Sequence, residues 1–350
     1  MGSPSRDPLV SVCVTAYNYA RFLPECIDSI LDQSYKHVEC IVIDDGSTDG
    51  TDEIVARYGE RIIALRHETS RGQLAAIVTA FRHSHGQFVS FVDADDTLHR
   101  DFVAANIAAH TSPQAFAAVS TSLQHLVDAE GHVLGVHPTL VHRPLLRLPR
   151  GSVEQRTIEH PGIGAIPIST YGPQANYAHQ WLWGTMSSMM FRRDVLSLVL
   201  TGQLEGFRIC ADAYLVHFSH AIGGTLLIEM PLGAYRRHGG NYFADNLVIG
   251  GLSPLNAQRR QEDDPRHLVA TQISARGQDF YHALGPRRFA ALVEKFCSLP
   301  IAARVLFKGS TRLSWRTIAF FFLQRAARHS RIMIFRASRL LAVNNFSETP

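Results

Sequence analysis

Three apolar, β-branched runs each stop at a polar cluster, and this repeated pattern limits the chain to few folds. Val10–Thr15 leads into Ala16-Tyr17-Asn18, Cys40–Ile43 into Asp44-Asp45-Gly46-Ser47, and Phe88–Val92 into Asp93-Ala94-Asp95-Asp96. Between them lie segments of helical spacing: Leu23, Ile27, Ile30 and Leu31, with Pro24 suited to a first turn, a short stretch from Thr51 to Tyr58, and Leu74, Ile77, Val78 and Phe81. Arg61–Arg66 supplies a further strand. Strands alternating with helices of this length predict a mostly parallel sheet with helices on both faces. In such sheets ligands sit beyond the carboxyl ends of the strands, where the polar clusters fall.

The composition fits that frame. The chain has 350 residues, 46% of them hydrophobic and 19% charged, enough for a large core and unlike a disordered, collagenous or coiled-coil chain. Cys13, Cys26, Cys40, Cys210 and Cys297 are scattered, with no CxxC spacing, so neither a disulfide framework nor a zinc knuckle is expected. Met1 to Pro8 carries no apolar leader, and no window reaches the ~20 apolar residues of a membrane span. The expected location is cytoplasmic.

Leu123 to Gly135, centred on Asp128-Ala129-Glu130-Gly131, predicts a hairpin. His137 to Tyr177 and Gly239 to Asp264 are expected to be long loops. Met186–Phe191 and Thr225–Met230 are expected strands, and Asp194–Leu200 a helix. From Pro265 onward the pattern is helical.

Alternate residues of an extended chain point to one side, so Asp93 and Asp95 pair their carboxylates and Asp96 adds a third. Hard oxygen ligands so grouped suit Mg²⁺ or Mn²⁺ bridging a diphosphate, the alternative being a helix cap with a solvated turn.

The three ordered motifs Val10–Asn18, Ile41–Thr51 and Phe91–Asp96 resemble those of family 2 glycosyltransferases, over Pro8 to Asn241, about two thirds of the chain. The resemblance implies an α/β GT-A fold: a Rossmann-like, mostly parallel sheet flanked by helices, here with a helical C-terminal extension. It also implies inverting transfer of a sugar from a nucleotide-sugar donor, a uracil or thymine base being favoured, to a glycan or lipid-linked acceptor. By the same resemblance Thr15, Tyr17 and Asn18 line the nucleoside pocket, with Tyr17 stacking near the base. Asp45 accepts the imino N–H of the base, Asp44 matches the neighbouring acidic position, and Arg71 approaches ribose or phosphates. Asp93 holds the ribose, Asp95 with Asp93 and Asp96 the metal, and His238 is a late metal ligand. Arg236 or Arg237 offers charge to the diphosphate. Asp212, in Ile209–Leu215, is the general base, although Ala211 replaces the acidic residue that usually precedes it. Trp181, Trp183 and Gly184 face donor sugar and acceptor, with core packing as the alternative for the two indoles. Val78 and Ala80 stand where the family usually has Asn and Gly.

The net charge of +3 hides a split. From Ile301 onward nine Lys/Arg face one acid, Glu348, giving +8 and leaving −5 for the first 300 residues. Arg304, Lys308, Arg312 and Arg316 recur every four residues, and Trp315 and Ile318–Leu323 follow. A basic helix with aromatics is expected to meet an anionic membrane surface, with packing on the body or on a second subunit as the alternative. Nucleic acid is not an expected partner, since no recognition motif accompanies the charge. The expected organisation is a catalytic domain over 8–264, divided into a nucleotide half (8–110) and an acceptor half (111–264), then a basic helical extension over 265–345. Two rival functions are a nucleotidyltransferase, disfavoured by the lack of a Gly-rich phosphate loop after the first strand, and a catalytically silent relative serving as scaffold or glycan-binding module.

Overall fold

A computed structural model of the chain describes residues 7–113, 115–136, 153–173, 183–201, 204, 211–238, 265–297, 301–302 and 305. The chain divides into two compact units, Met1–Pro265 and Arg266–Pro350.

The first unit opens with strand β1 (Val10–Ala16), helix α1 (Leu23–Leu31), β2 (Val38–Asp44), α2 (Thr51–Ala56), β3 (Ile63–Arg66), α3 (Gln73–His83) and β4 (Phe88–Asp93). Then come β5 (Thr97–Leu98), α4 (Phe102–Thr111), β6 (Val119–Val127), β7 (Val133–Val136), β8 (Val153–His160) and β9 (Gly164–Tyr171). β10 (Met189–Arg192), α5 (Arg193–Val199), α6 (Ala211–Gly223) and β11 (Thr225–Arg236) complete it. Among the described residues these strands form one sheet in the order β3-β2-β1-β4-β10-β6-β11-β9-β8, with β5 on β11 and β7 on β6.

β1, β2, β3 and β4 run parallel, as the apolar runs predict. β1 is buried on both faces except at Thr15, because α1 and α3 flank the sheet. α1 buries Leu23, Cys26, Ile27 and Ile30, the i, i+3, i+4, i+7 stripe of a helix on a core, and Pro24 stands in its first turn. Beyond β4 the sheet turns mixed: β10 is antiparallel to both β4 and β6, while β11 runs parallel to β6. Residues 123–135 form the expected hairpin between β6 and β7, closed by Asp128, which accepts N–H bonds from Glu130 and His132.

Two expectations are corrected here. The stretch 137–177 is not wholly loop, because β8 and β9 pair antiparallel from Val153↔Tyr171 to His160↔Gly164 and close the sheet edge. β8 escapes an apolar reading because an edge strand buries little; most of Val153–His160 is exposed. The last strand does not stop at Met230 but continues through Pro231 to Arg236. Pro231 is tolerated because the β6–β11 register shifts on either side of it, leaving the ladder interrupted there. Gly233 lets β5 close in, since a Cβ there would lie 2.9 Å from the Thr97 carbonyl oxygen.

α4 buries nearly its whole circumference and carries a polar chain into the core. The Ser120 hydroxyl donates to Asn106, so His110 Nε2 donates to Ser120 at 2.9 Å, and His110 Nδ1 has no partner among the described residues. Burial drives the His110 pKa down to about 4. Between about pH 6.5 and 4 the unfolded chain therefore binds a proton the folded one refuses. Stability present at neutral pH is lost through that window, on the order of 3 kcal/mol when complete. Urea unfolding at pH 7 and pH 4.5 should show a smaller acid loss in His110→Gln than in wild type; equal losses would remove His110 as the cause.

The second unit begins with α7 (Pro265–Phe296), whose helical geometry breaks at Arg276 and at Gly285, just before Pro286. Val269, Ile273, Phe280, Phe289 and Val293 are buried, and Tyr281 meets Phe289 edge-on at 5.8 Å. Residues 306–350, with most of the basic segment, lie outside the described residues. No helix among the described residues is long and apolar enough to cross a membrane.

Candidate active site

The carboxyl ends of β1, β2 and β4 lie side by side at one edge of the parallel strands, and the Gln73–Ala211 hydrogen bond brings the N-termini of α3 and α6 together. Asp93 ends β4; its carboxylate accepts the Gln73 amide at 2.9 Å and a hydrogen bond from Thr15 at the end of β1. Burial pushes the Asp93 carboxyl up to about 7, the charges of Asp95 and Asp212 add to this, and the Gln73 and Thr15 bonds oppose it. Asp212, in the first turn of α6, is thus brought into electrostatic range of Asp93 from 119 positions further along the chain. Ala211, the first residue of α6, donates its N–H to Gln73 Oε1 at 3.3 Å.

Asp95 has a different partner. Its Oδ2 lies 3.0 Å from His238 Nε2, and the imidazole packs on Phe22 at 4.8 Å and edge-on to Tyr19 at 5.5 Å. Asp96 is buried, with one oxygen accepting from Ser187 at 2.6 Å and the other from the Arg236 N–H at 3.0 Å. Burial first, then Asp95 and Asp93, drives the Asp96 carboxyl well above the ordinary range. Tyr19 and Tyr235 are raised by burial and by the same three carboxylates. Burial and mutual repulsion thus disfavour simultaneous ionisation of these carboxylates.

Several expected site residues serve the chain itself. Asp45 takes His67 Nδ1 at 2.6 Å, Ser70 Oγ at 2.8 Å, and the N–H groups of Arg71 and Gly72 at 2.9 Å each. Four donors fill the roughly four lone-pair sites of a carboxylate, so a base N–H must displace one of them. Burial opposes ionisation of Asp45, but these bonds outweigh it and hold the carboxyl below its ordinary range. Gly46 allows this loop to close: its φ is +80°, and a Cβ would come within 2.8 Å of the Ser70 nitrogen. Asp44 accepts the Ser47 N–H and pairs with Arg66 at 3.1 Å. Asp96, expected as a third metal ligand, instead fastens the turn after β4 to β11. Arg236, one of two arginines expected as alternatives for the diphosphate, is buried and bonded to the Asp95 and Ala129 carbonyls, to Glu25, and to the face of Phe22 at 5.2 Å, which leaves Arg237 as the alternative.

The sugar-facing pair is also corrected in part. Trp183 is fully buried; its indole N–H donates to Thr225 at 3.0 Å, and His217 and His220 meet its ring edge-on. Gly184 is required by packing, since a Cβ would lie 2.3 Å from Ser188 Oγ. Trp181 lies outside the described residues. Tyr17 is 48% exposed, and Arg71, whose N–H is bonded to Asp45, is also exposed. Asn18 adopts φ 59° and, with Ser47 and Thr48, locks the loops after β1 and β2 together.

Among the described residues no group of three or more His, Cys, Asp and Glu side chains is arranged to hold a metal ion by itself. Asp95 and His238 nevertheless suit a partial shell: one carboxylate and one imidazole, both largely buried, meet at 3.0 Å. Mg²⁺ and Mn²⁺ commonly take one or two protein ligands, with phosphate oxygens and water completing the set.

The residues that sequence reasoning missed are those that hold others: Gln73, His67 and Ser187. Only Gln73 had a sequence signal, its place directly after the glycine that opens a predicted helix.

Residues 11–129 match the family model described as glycosyl transferase family 2. An uncharacterized glycosyltransferase of Nostoc sp. is 26% identical over 237 residues, covering 66% of this chain. The Streptococcus pneumoniae glycosyltransferase GlyA is 39% identical over 28% of the chain. TuaG of Bacillus subtilis, a glycosyltransferase named for teichuronic acid biosynthesis, is 39% identical over 27% of it. The aligned stretches span 66%, 14% and 38% of these relatives' own lengths, in each case short of two thirds. Among solved structures, S. aureus TarS 1-349 in complex with UDP-GlcNAc superposes with a TM-score of 0.53 at 16% identity, covering 89% of this chain and 83% of that one. That likeness establishes the GT-A fold. Residues 11–129, with their parallel strands and acidic strand ends, are where the chain is similar to glycosyl transferase family 2.

Proposed function

We propose that this protein transfers a glycosyl group from a nucleotide-diphosphate sugar, a UDP- or TDP-sugar being favoured, to an acceptor hydroxyl with inversion. The observation that carries the reading is the Gln73 side chain, which bonds both Asp93 and the first turn of the helix bearing Asp212, together with the Asp95–His238 pair. Single displacement at an anomeric carbon requires two things on opposite faces. Negative charge growing on the departing diphosphate must be stabilised, and the acceptor hydroxyl must lose its proton. Asp212 takes the proton; its place in the first turn of a thirteen-residue helix favours the ionised form it needs. Asp93 holds the ribose, Tyr17 stacks on the base, and Arg71 approaches the phosphates. Asp95 and His238 would hold Mn²⁺ or Mg²⁺, which when bound supplies Lewis-acid stabilisation of the leaving diphosphate.

UDP-GlcNAc bound to the fold relative TarS supports a nucleotide-sugar donor. The name of TuaG supports a role in surface polysaccharide or lipid-linked glycan assembly. Peripheral contact of the basic C-terminal segment with an anionic membrane surface belongs to the same reading.

Thermal unfolding with UDP, TDP, GDP, CDP or ADP, each with and without Mn²⁺, tests it. A nucleotide at one hundred times its Kd adds about 2.7 kcal/mol. A rise with UDP or TDP that needs Mn²⁺ is expected in wild type, and Asp95→Ala should erase the Mn²⁺ requirement together with most of the rise. Silence with every nucleotide would favour the non-catalytic scaffold instead.

A further inference from the structure

We propose that Gln73 is a positioning residue that sets Asp212 against Asp93 by capping α6 from outside its own helix. The idea deepens the reading of Asp212 as the base and rests on it. Gly72 has φ 91° and ψ 164°, a conformation only glycine holds without strain, and it delivers the chain into α3 with Gln73 at its first position. From there the side-chain amide uses both ends. Its Nε2 donates to Asp93 Oδ1 at 2.9 Å, and its Oε1 accepts the Ala211 N–H at 3.3 Å.

The Ala211 N–H belongs to the first turn of α6, where no intrahelical acceptor exists. Asp212 Oδ1 accepts the next N–H, from Ala213 at 2.8 Å. Gln73 therefore satisfies the orphan donor directly ahead of Asp212, and the same amide grips the carboxylate at the end of β4. Two acids that repel each other are thereby held at a fixed separation by one neutral side chain that can both give and accept. Only an amide of this length does both: Asn is one methylene short, Glu accepts but does not donate to a carboxylate when ionised, and Met does neither.

The test uses Gln73→Met and Gln73→Glu in the full chain, with hydrogen exchange of the amides from Ala211 to Tyr214 and steady-state kinetics. In Gln73→Met, exchange at the start of α6 should accelerate about tenfold and kcat should fall about tenfold, with donor KM changed less. In Gln73→Glu, which keeps the acceptor for Ala211, exchange should stay at the wild-type rate while donor KM rises through the charge placed against Asp93. Wild-type exchange and kcat in Gln73→Met would overturn the proposal. So would a common loss of Tm in both variants with kcat and KM moving together, the signature of general destabilisation. If the wild type transfers no sugar, the reading of Asp212 as base fails, yet the exchange comparison still decides whether Gln73 holds α6.

Discussion

Asp212→Asn should lower kcat by about 10²- to 10⁴-fold, the usual worth of a positioned general base, with donor affinity near wild type. The substitution is conservative for structure. Asp212 Oδ1 accepts the Ala213 N–H at 2.8 Å, and an asparagine carbonyl oxygen serves that cap equally well. What vanishes is the ability to take a proton and one of the charges that raise the Asp93 carboxyl. Two measurements should therefore move together: single-turnover transfer slows, and the Asp93 carboxyl titrates closer to its ordinary value. Undiminished turnover would leave Asp212 as a helix cap and require a base from elsewhere in the acceptor half. The absence of an acidic neighbour at Ala211 sharpens the test, since no adjacent carboxylate can substitute.

Trp183→Ala should destabilise the first unit by about 3–5 kcal/mol, the range for removing a large aromatic from a packed core. The indole is fully buried, and its loss also strips a donor from Thr225, whose hydroxyl is shared with His220 at 2.9 Å. Urea unfolding of the full chain measures the change directly. A sugar-facing tryptophan would behave otherwise, with wild-type stability and a raised acceptor KM. Trp183→Phe should recover part of the lost stability by refilling the volume without the N–H.

The contrast between these two residues shows how far sequence reaches. The place of Asp212 at a helix start was legible because the resemblance set a motif around Ile209–Leu215, and α6 does begin at Ala211. Trp183 was not, because a tryptophan between small and apolar residues reads alike whether its face meets a sugar or a core. Asp45 and Arg236 illustrate the same boundary. Their residue types announce charge, but whether the charge is offered to a ligand or spent on the chain depends on neighbours 22 to 211 positions away.

The sequence by itself determined the parallel β1–β4 sheet and the acidic strand ends along one edge of it. Those follow from local hydrophobic periodicity and from the rule that polar clusters ending buried strands share one edge. Tertiary structure alone decided which carboxylates stay available. It closed four donors around Asp45 and turned Asp96 inward onto Ser187 and β11. It also added the β8–β9 edge hairpin and placed His238 on Asp95. The physical reason is that a carboxylate's role is set by its desolvation and by the donors within about 3 Å of it. Neither quantity exists until segments distant in sequence pack together.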